Sequence, residues 1–221
     1  MVLEHDLLDP ACRVATLDVV SAGRIRFGIG VGWLPEELSN HRPDVPYKLR
    51  YAAAVERVRA LRTIWTEDEA EFAGQWDRFQ RSWVFPKPIQ RPLPIGFGSS
   101  GELGMRYAAQ LADEWYPIDA VLEEEVGGVG PGIARFRHLL EEAGRDAMSV
   151  PITLFVWGWE PGQPSIERIA GYEEFGIERG RDRSAVHGAP LGVRHASTAR
   201  RVRLGRHQTL TTSSRSPRRR R

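Results

Sequence analysis

The chain has 221 residues, 41% of them apolar, enough for one sizeable core and without an apolar run near the length of a membrane span. Its single cysteine, Cys12, excludes an internal disulfide and any multi-cysteine metal site. The net charge of +2 conceals two compositions: residues 179–221 hold 13 arginines against one acid, Asp182, so the remainder of the chain is acidic.

Residues 10–20 read as a helix. Proline suits its first turn, and the inward face is either Val14, Leu17 and Val20 or Ala11, Ala15 and Val19. Ser21-Ala22-Gly23 closes it. The segment Arg24-Ile25-Arg26-Phe27-Gly28-Ile29-Gly30-Val31-Gly32-Trp33 follows, a short strand that dissolves into glycines spaced two apart. Glycine accepts positive φ and lets a ligand approach the backbone, so the run suggests a ligand-facing turn; a tight turn without a ligand is the plain alternative. Residues 34–38 look like a helical turn. Residues 47–65 form the strongest helical pattern, with Tyr51, Ala54, Val55, Val58, Leu61 and Trp65 on one side and Arg50, Glu56, Arg57 and Arg59 on the other.

Residues 71–79 read as a small β-hairpin insertion running on to Phe85, and Pro86, Pro88, Pro92 and Pro94 form a stiff linker. A strand over 94–98 enters a helix over 102–112 through Ser99-Ser100-Gly101. A brief strand over 113–117, a glycine-rich loop over 127–132 and a helix over 133–142 come next. Residues 150–157 are an apolar strand of the kind a buried parallel sheet uses, and 164–175 a last helix. This alternation predicts an α/β protein with a parallel sheet.

Gly96-Phe97-Gly98-Ser99-Ser100-Gly101 satisfies the spacing of a dinucleotide-binding turn, with Asp119 as the acid that would meet a ribose. A milder reading makes Ser99, Ser100 and the helix start an anion pocket, and the plainest makes a serine the helix cap. No lysine follows a glycine loop in the manner of a phosphate-binding ATPase. No nucleophilic-serine elbow occurs, and His5, His41 and His138 stand isolated. With no hydrolytic machinery and no metal set, the pattern favours chemistry carried by a bound organic cofactor.

Several segments together resemble the luciferase-like monooxygenase superfamily, in particular its members dependent on the deazaflavin coenzyme F420. They are residues 15–24, Phe27-Gly28-Ile29-Gly30-Val31-Gly32-Trp33, Leu61-Arg62-Thr63-Ile64-Trp65-Thr66, the proline stretch 85–92, Pro94-Ile95-Gly96-Phe97-Gly98-Ser99-Ser100 and Ala112-Asp113-Glu114-Trp115-Tyr116-Pro117. The resemblance implies part of a TIM-type (β/α)8 barrel over residues 1–179, with F420 or FMN over the C-terminal strand ends. It puts Gly30, Gly32 and Trp33 beside the cofactor ring or substrate, and Gly98, Ser99, Ser100 and Gly101 near its ribityl-phosphate arm. It implies an oxidoreductase that transfers hydride to, or oxygenates, a small organic substrate, and leaves the catalytic residues unassigned.

The family's first three strands have no counterpart here, and residues 180–221 read as a disordered basic tail. That tail is a solvated extension, an out-of-frame end or, least favoured, a nucleic-acid arm. With open sheet edges, weak or no independent activity is expected. The alternatives are a nicotinamide-dependent dehydrogenase, and a non-catalytic fragment or basic-tailed binding protein. The expected location is cytoplasmic, with no membrane partner and a homodimer left open.

Overall fold

The computed structural model describes residues 1–156, together with Gly171, Tyr172, Phe175, Ile177 and the backbone of Ala185–Gly188. After a 3₁₀ turn at Val2–Glu4, helix α1 spans Leu8–Val20. Its inward set is Ala11, Val14, Ala15 and Asp18, which mixes the two predicted faces, and Leu17, Val19 and Val20 remain exposed. An acid takes a core position because its charge is satisfied there. The Asp18 carboxylate accepts the Gln90 backbone N–H at 2.9 Å and its side-chain amide at 2.7 Å, fastening the proline stretch to α1.

Strand β1 is Phe27–Gly30, and α2 is Pro35–His41. The predicted long helix opens with a separate 3₁₀ turn, Tyr47–Leu49, before α3, Arg50–Thr66. Arg57 is not on the solvent side of α3 as its charge suggests but 2% exposed. Its guanidinium makes two bonds to the Asp77 carboxylate, 2.6 and 2.7 Å, and donates to the carbonyls of Val2 at 3.0 Å and His5 at 2.8 Å. Neighbouring Glu56 accepts the backbone N–H groups of Gln75, Trp76 and Asp77 at 2.9, 2.6 and 2.7 Å. The hairpin of β2, Ala70–Ala73, and β3, Arg78–Ser82, is therefore held to α3 through its turn.

Next come β4, Ile95–Gly98; α4, Glu102–Leu111; β5, Glu114–Trp115; α5, Asp119–Val126; α6, Val129–Glu142; and β6, Thr153–Val156. Helix α5 has no counterpart in the sequence reading, and the glycine loop expected over 127–132 shrinks to Gly127-Gly128, both at positive φ. Gly130, Pro131 and Gly132 belong to the first turn of α6, where proline needs no N–H partner. The glycines there serve packing: a β-carbon on Gly132 would stand 2.8 Å from Leu122 of α5, and one on Gly130 2.5 Å from Phe175.

Strands β1, β4 and β5 lie side by side in parallel. The ladder reaches β6 through the parallel bridges Trp115 to Ile152 and Ile118 to Phe155. A further strand, β7, Ala185–Gly188, pairs in parallel with β6, so this part of the predicted disordered tail is a strand. The helix expected over 164–175 and the rest of the tail lie outside the described residues, single positions apart. Helices cover one face of the sheet: Phe27 meets Trp65 of α3 edge-on, Tyr51 of α3 stacks on Phe97, and Trp115 stacks on Phe136 of α6 at 4.1 Å. Among the described residues no helix is long and apolar enough to cross a membrane.

Candidate functional site

Side chains alternate across a strand, so committing Phe27, Ile29, Ile95, Phe97 and Trp115 to the helical side sends their neighbours to the opposite face. Those neighbours are mostly glycines. The register pairs Gly28 with Gly96 and Gly30 with Gly98, two bare rungs one above the other across β1 and β4. On β5 the same face carries Glu114, opposite Gly96, and then Tyr116 just past the strand end. The Tyr116 ring leans back over the lower rung: a β-carbon on Gly96 would fall within it, and one on Gly28 would come to 2.9 Å of it. The upper rung stays uncovered. A β-carbon on Gly30 would meet only Met1 Sδ, at 3.5 Å, and one on Gly98 only main-chain oxygens, the nearer being Ile29 O at 3.2 Å. The result is a trough open toward the C-terminal ends of the strands, floored by backbone.

The predicted site residues gather at that end. Gly30 and Gly98 are direct neighbours. Gly32, at φ +81°, turns the chain beneath Met1 and Glu4, whose atoms would lie 3.5 and 3.6 Å from an added β-carbon. Trp33 follows, 71% exposed, its carbonyl accepting the Tyr47 hydroxyl at 2.8 Å. Neither serine caps α4. Gly101 is the N-cap, with no side-chain bond to the first turn. Ser100 Oγ instead accepts the Ile118 N–H at 2.9 Å and ties β4 to the segment after β5. The Ser99 hydroxyl is buried without a hydrogen-bond partner, while its carbonyl accepts Trp115 Nε1–H at 2.7 Å. No side chain caps the first turn of α4.

Residues around the trough that the sequence reading did not single out form two groups. At the rim, the Arg50 guanidinium lies 4.0 Å over the Tyr47 ring and 4.7 Å over Tyr51, whose phenol burial pushes up from its ordinary value of 10.0. Inside, Tyr116 donates its hydroxyl to Glu114 at 2.9 Å, and Arg26 pairs with the same carboxylate at 2.9 Å. Burial, then the nearby Glu114 charge, pushes the Tyr116 phenol far up, so it stays protonated. Between the N-terminal segment and β1, a 410 Å³ groove is lined by Met1, His5, Arg13, Gly28 and Gly30 among others. Asp119, the acid a dinucleotide site would turn to a ribose, is fully buried at the start of α5 and bonded to the Tyr172 hydroxyl at 3.1 Å. No group of three or more His, Cys, Asp or Glu among the described residues is placed to hold a metal ion.

A family model described as luciferase-like monooxygenase matches residues 8–158. An uncharacterized protein of Mycobacterium tuberculosis is 33% identical over 178 residues, which are 79% of this chain and 58% of that one. The FMNH2-dependent dimethylsulfone monooxygenase of Pseudomonas putida is 35% identical over 107 residues, 48% of this chain and 30% of that one. Among solved structures, an F420-dependent secondary alcohol dehydrogenase in complex with an F420-acetone adduct superposes with a TM-score of 0.58 at 22% identity, over 70% of this chain and 46% of that one. The chain thus spans between about a third and rather more than half of these relatives.

Proposed function

From a chain that belongs to the luciferase-like monooxygenase family, we propose an F420- or FMN-dependent oxidoreductase acting on a small organic substrate, built as part of a TIM-type barrel. The observation that carries the reading is the pair of glycine rungs. A planar tricyclic ring needs a flat surface without projecting side chains, and Gly30 beside Gly98 supplies one at the strand ends where barrel enzymes bind their ligands. Gly32 and Trp33 would border that ring. The uncapped amides at Gly101 and the start of α4, with Ser99 and Ser100 beside them, suit the anionic arm. Either cofactor, when bound, supplies hydride transfer, and a reduced flavin also supplies oxygen activation. The chain's own part is to hold the ring against the sheet and to keep water from one side of it. The relatives' dependence on FMNH2 and on F420 supports this pair of cofactors without choosing between them. The buried position of Asp119 speaks against the nicotinamide alternative.

The test is calorimetric titration of the full chain with FMN, F420 and NADPH. FMN or F420 should bind, and NADPH alone should not. Gly30→Val adds an isopropyl group above the upper rung where only Met1 stands near, so it should fold and yet lose the binding. A folded chain that takes up neither FMN nor F420 would sink the proposal.

A further inference from the structure

We propose that Tyr116 is the aromatic contact for the cofactor's ring, and that the Glu114–Arg26 pair is a positioning device that fixes it. This rests on the reading above and assigns a residue to it. Gly96 faces Glu114 and Phe97 faces Trp115, so Tyr116 stands next to Gly98, at the level where the trough opens. A tyrosine there can cover the Gly30–Gly98 rung or fold back over the rung beneath. It does the second, because the glycines at 28 and 96 leave a slot the size of its ring and Glu114 receives its hydroxyl at 2.9 Å.

Glu114 is 6% exposed, and the Arg26 guanidinium balances its charge, at 2.9 Å to Oε1 and 3.0 Å to Oε2. Phe155 meets the Tyr116 ring edge-on at 5.9 Å from β6, bracing it from the far side. The hydroxyl is thereby committed inward, so Tyr116 offers the trough neither an acid nor a base. What it offers is aromatic surface beside a bare rung of backbone, which recognises a flat heteroaromatic ring by stacking and by nothing more selective.

The experiment is fluorescence titration of FMN into the full chain and two variants, with folding checked by thermal melts. A tyrosine touching an excited flavin quenches it by electron transfer, whereas phenylalanine does not. Tyr116→Phe keeps the ring in its slot, so FMN affinity should stay within about threefold while the bound flavin emits more brightly. Tyr116→Leu removes the stacking surface and should weaken FMN about tenfold, the worth of one aromatic contact. Wild-type binding with neither a brighter Tyr116→Phe complex nor a weaker Tyr116→Leu complex would overturn the assignment and leave the cofactor reading standing. A wild-type chain that binds neither FMN nor F420 would overturn both.

Discussion

At Gly104 the first turn of α4 touches the end of β4 so closely that no β-carbon fits. An added carbon would stand 2.5 Å from Ser99 Cβ and 2.9 Å from the Tyr51 hydroxyl. Gly104→Ala must push α4 off the sheet and should cost about 1–3 kcal/mol, read from urea unfolding. The Arg57–Asp77 pair makes the opposite kind of prediction. Both side chains are at most 5% exposed, so Asp77→Ala leaves a buried guanidinium without its counter-charge and should cost about 3–5 kcal/mol. Replacing both partners, Arg57→Met with Asp77→Leu, should recover much of that loss in the same assay. Residues differ in how far the sequence betrays them. Glycines spaced two apart before a tryptophan announce a backbone-lined turn. Asp18, Glu56, Arg57 and Asp77 announce nothing, because a charge satisfied by a partner 20 or 72 residues away looks, in one dimension, like a charge satisfied by water.

Between elements, α4 and α6 are laced on their outer side by Glu102, Arg106, Arg135 and Glu142, with Arg135 reaching Glu102 at 2.5 and 3.0 Å and Arg106 reaching Glu142 at 3.4 Å. Hydrogen bonding from Arg135 holds the Glu102 carboxyl below its ordinary value of 4.5. A depressed carboxylate contributes stability that is present above its unfolded value and fades as pH falls through the folded one. The contribution should therefore be whole at neutral pH and disappear below 4.5. Glu102→Gln should lower the Tm slightly at neutral pH, the pair being exposed, and match the wild type in strong acid; thermal scans across that range check it. The order of these elements was legible in the sequence, and their edges less so. Helix α5 is short and carries Glu123-Glu124-Glu125, which reads as a solvated run, and α6 begins on glycines whose purpose, close approach to Leu122 and Phe175, depends on neighbours the sequence does not name.

Across the whole sheet, the parallel order β1–β4–β5–β6 follows the chain order of an alternating α/β pattern, which is why an α/β protein with a parallel sheet could be read directly. The trough could not. It depends on Gly28 meeting Gly96 and Gly30 meeting Gly98, a pairing of residues 68 positions apart. The same register leaves β1 one-sided: Phe27 donates to the Pro94 carbonyl at 3.2 Å, and the alternation turns the Gly28 and Gly30 amides to the open groove. Hydrogen exchange should accordingly be fast at Gly28 and Gly30 and slow at Ile29 between them, in adjacent residues of one strand.

The bare rungs carry a lesson for how the molecule responds to change. A scan that trims each residue to alanine measures what is lost when atoms go. At Gly28, Gly30, Gly96 and Gly98 the useful quantity is space, and such a scan can only fill it. If these rungs hold the proposed cofactor, that surface will look silent to deletion and vulnerable to addition, so a map drawn by growing side chains, one carbon at a time, is the one that would outline it.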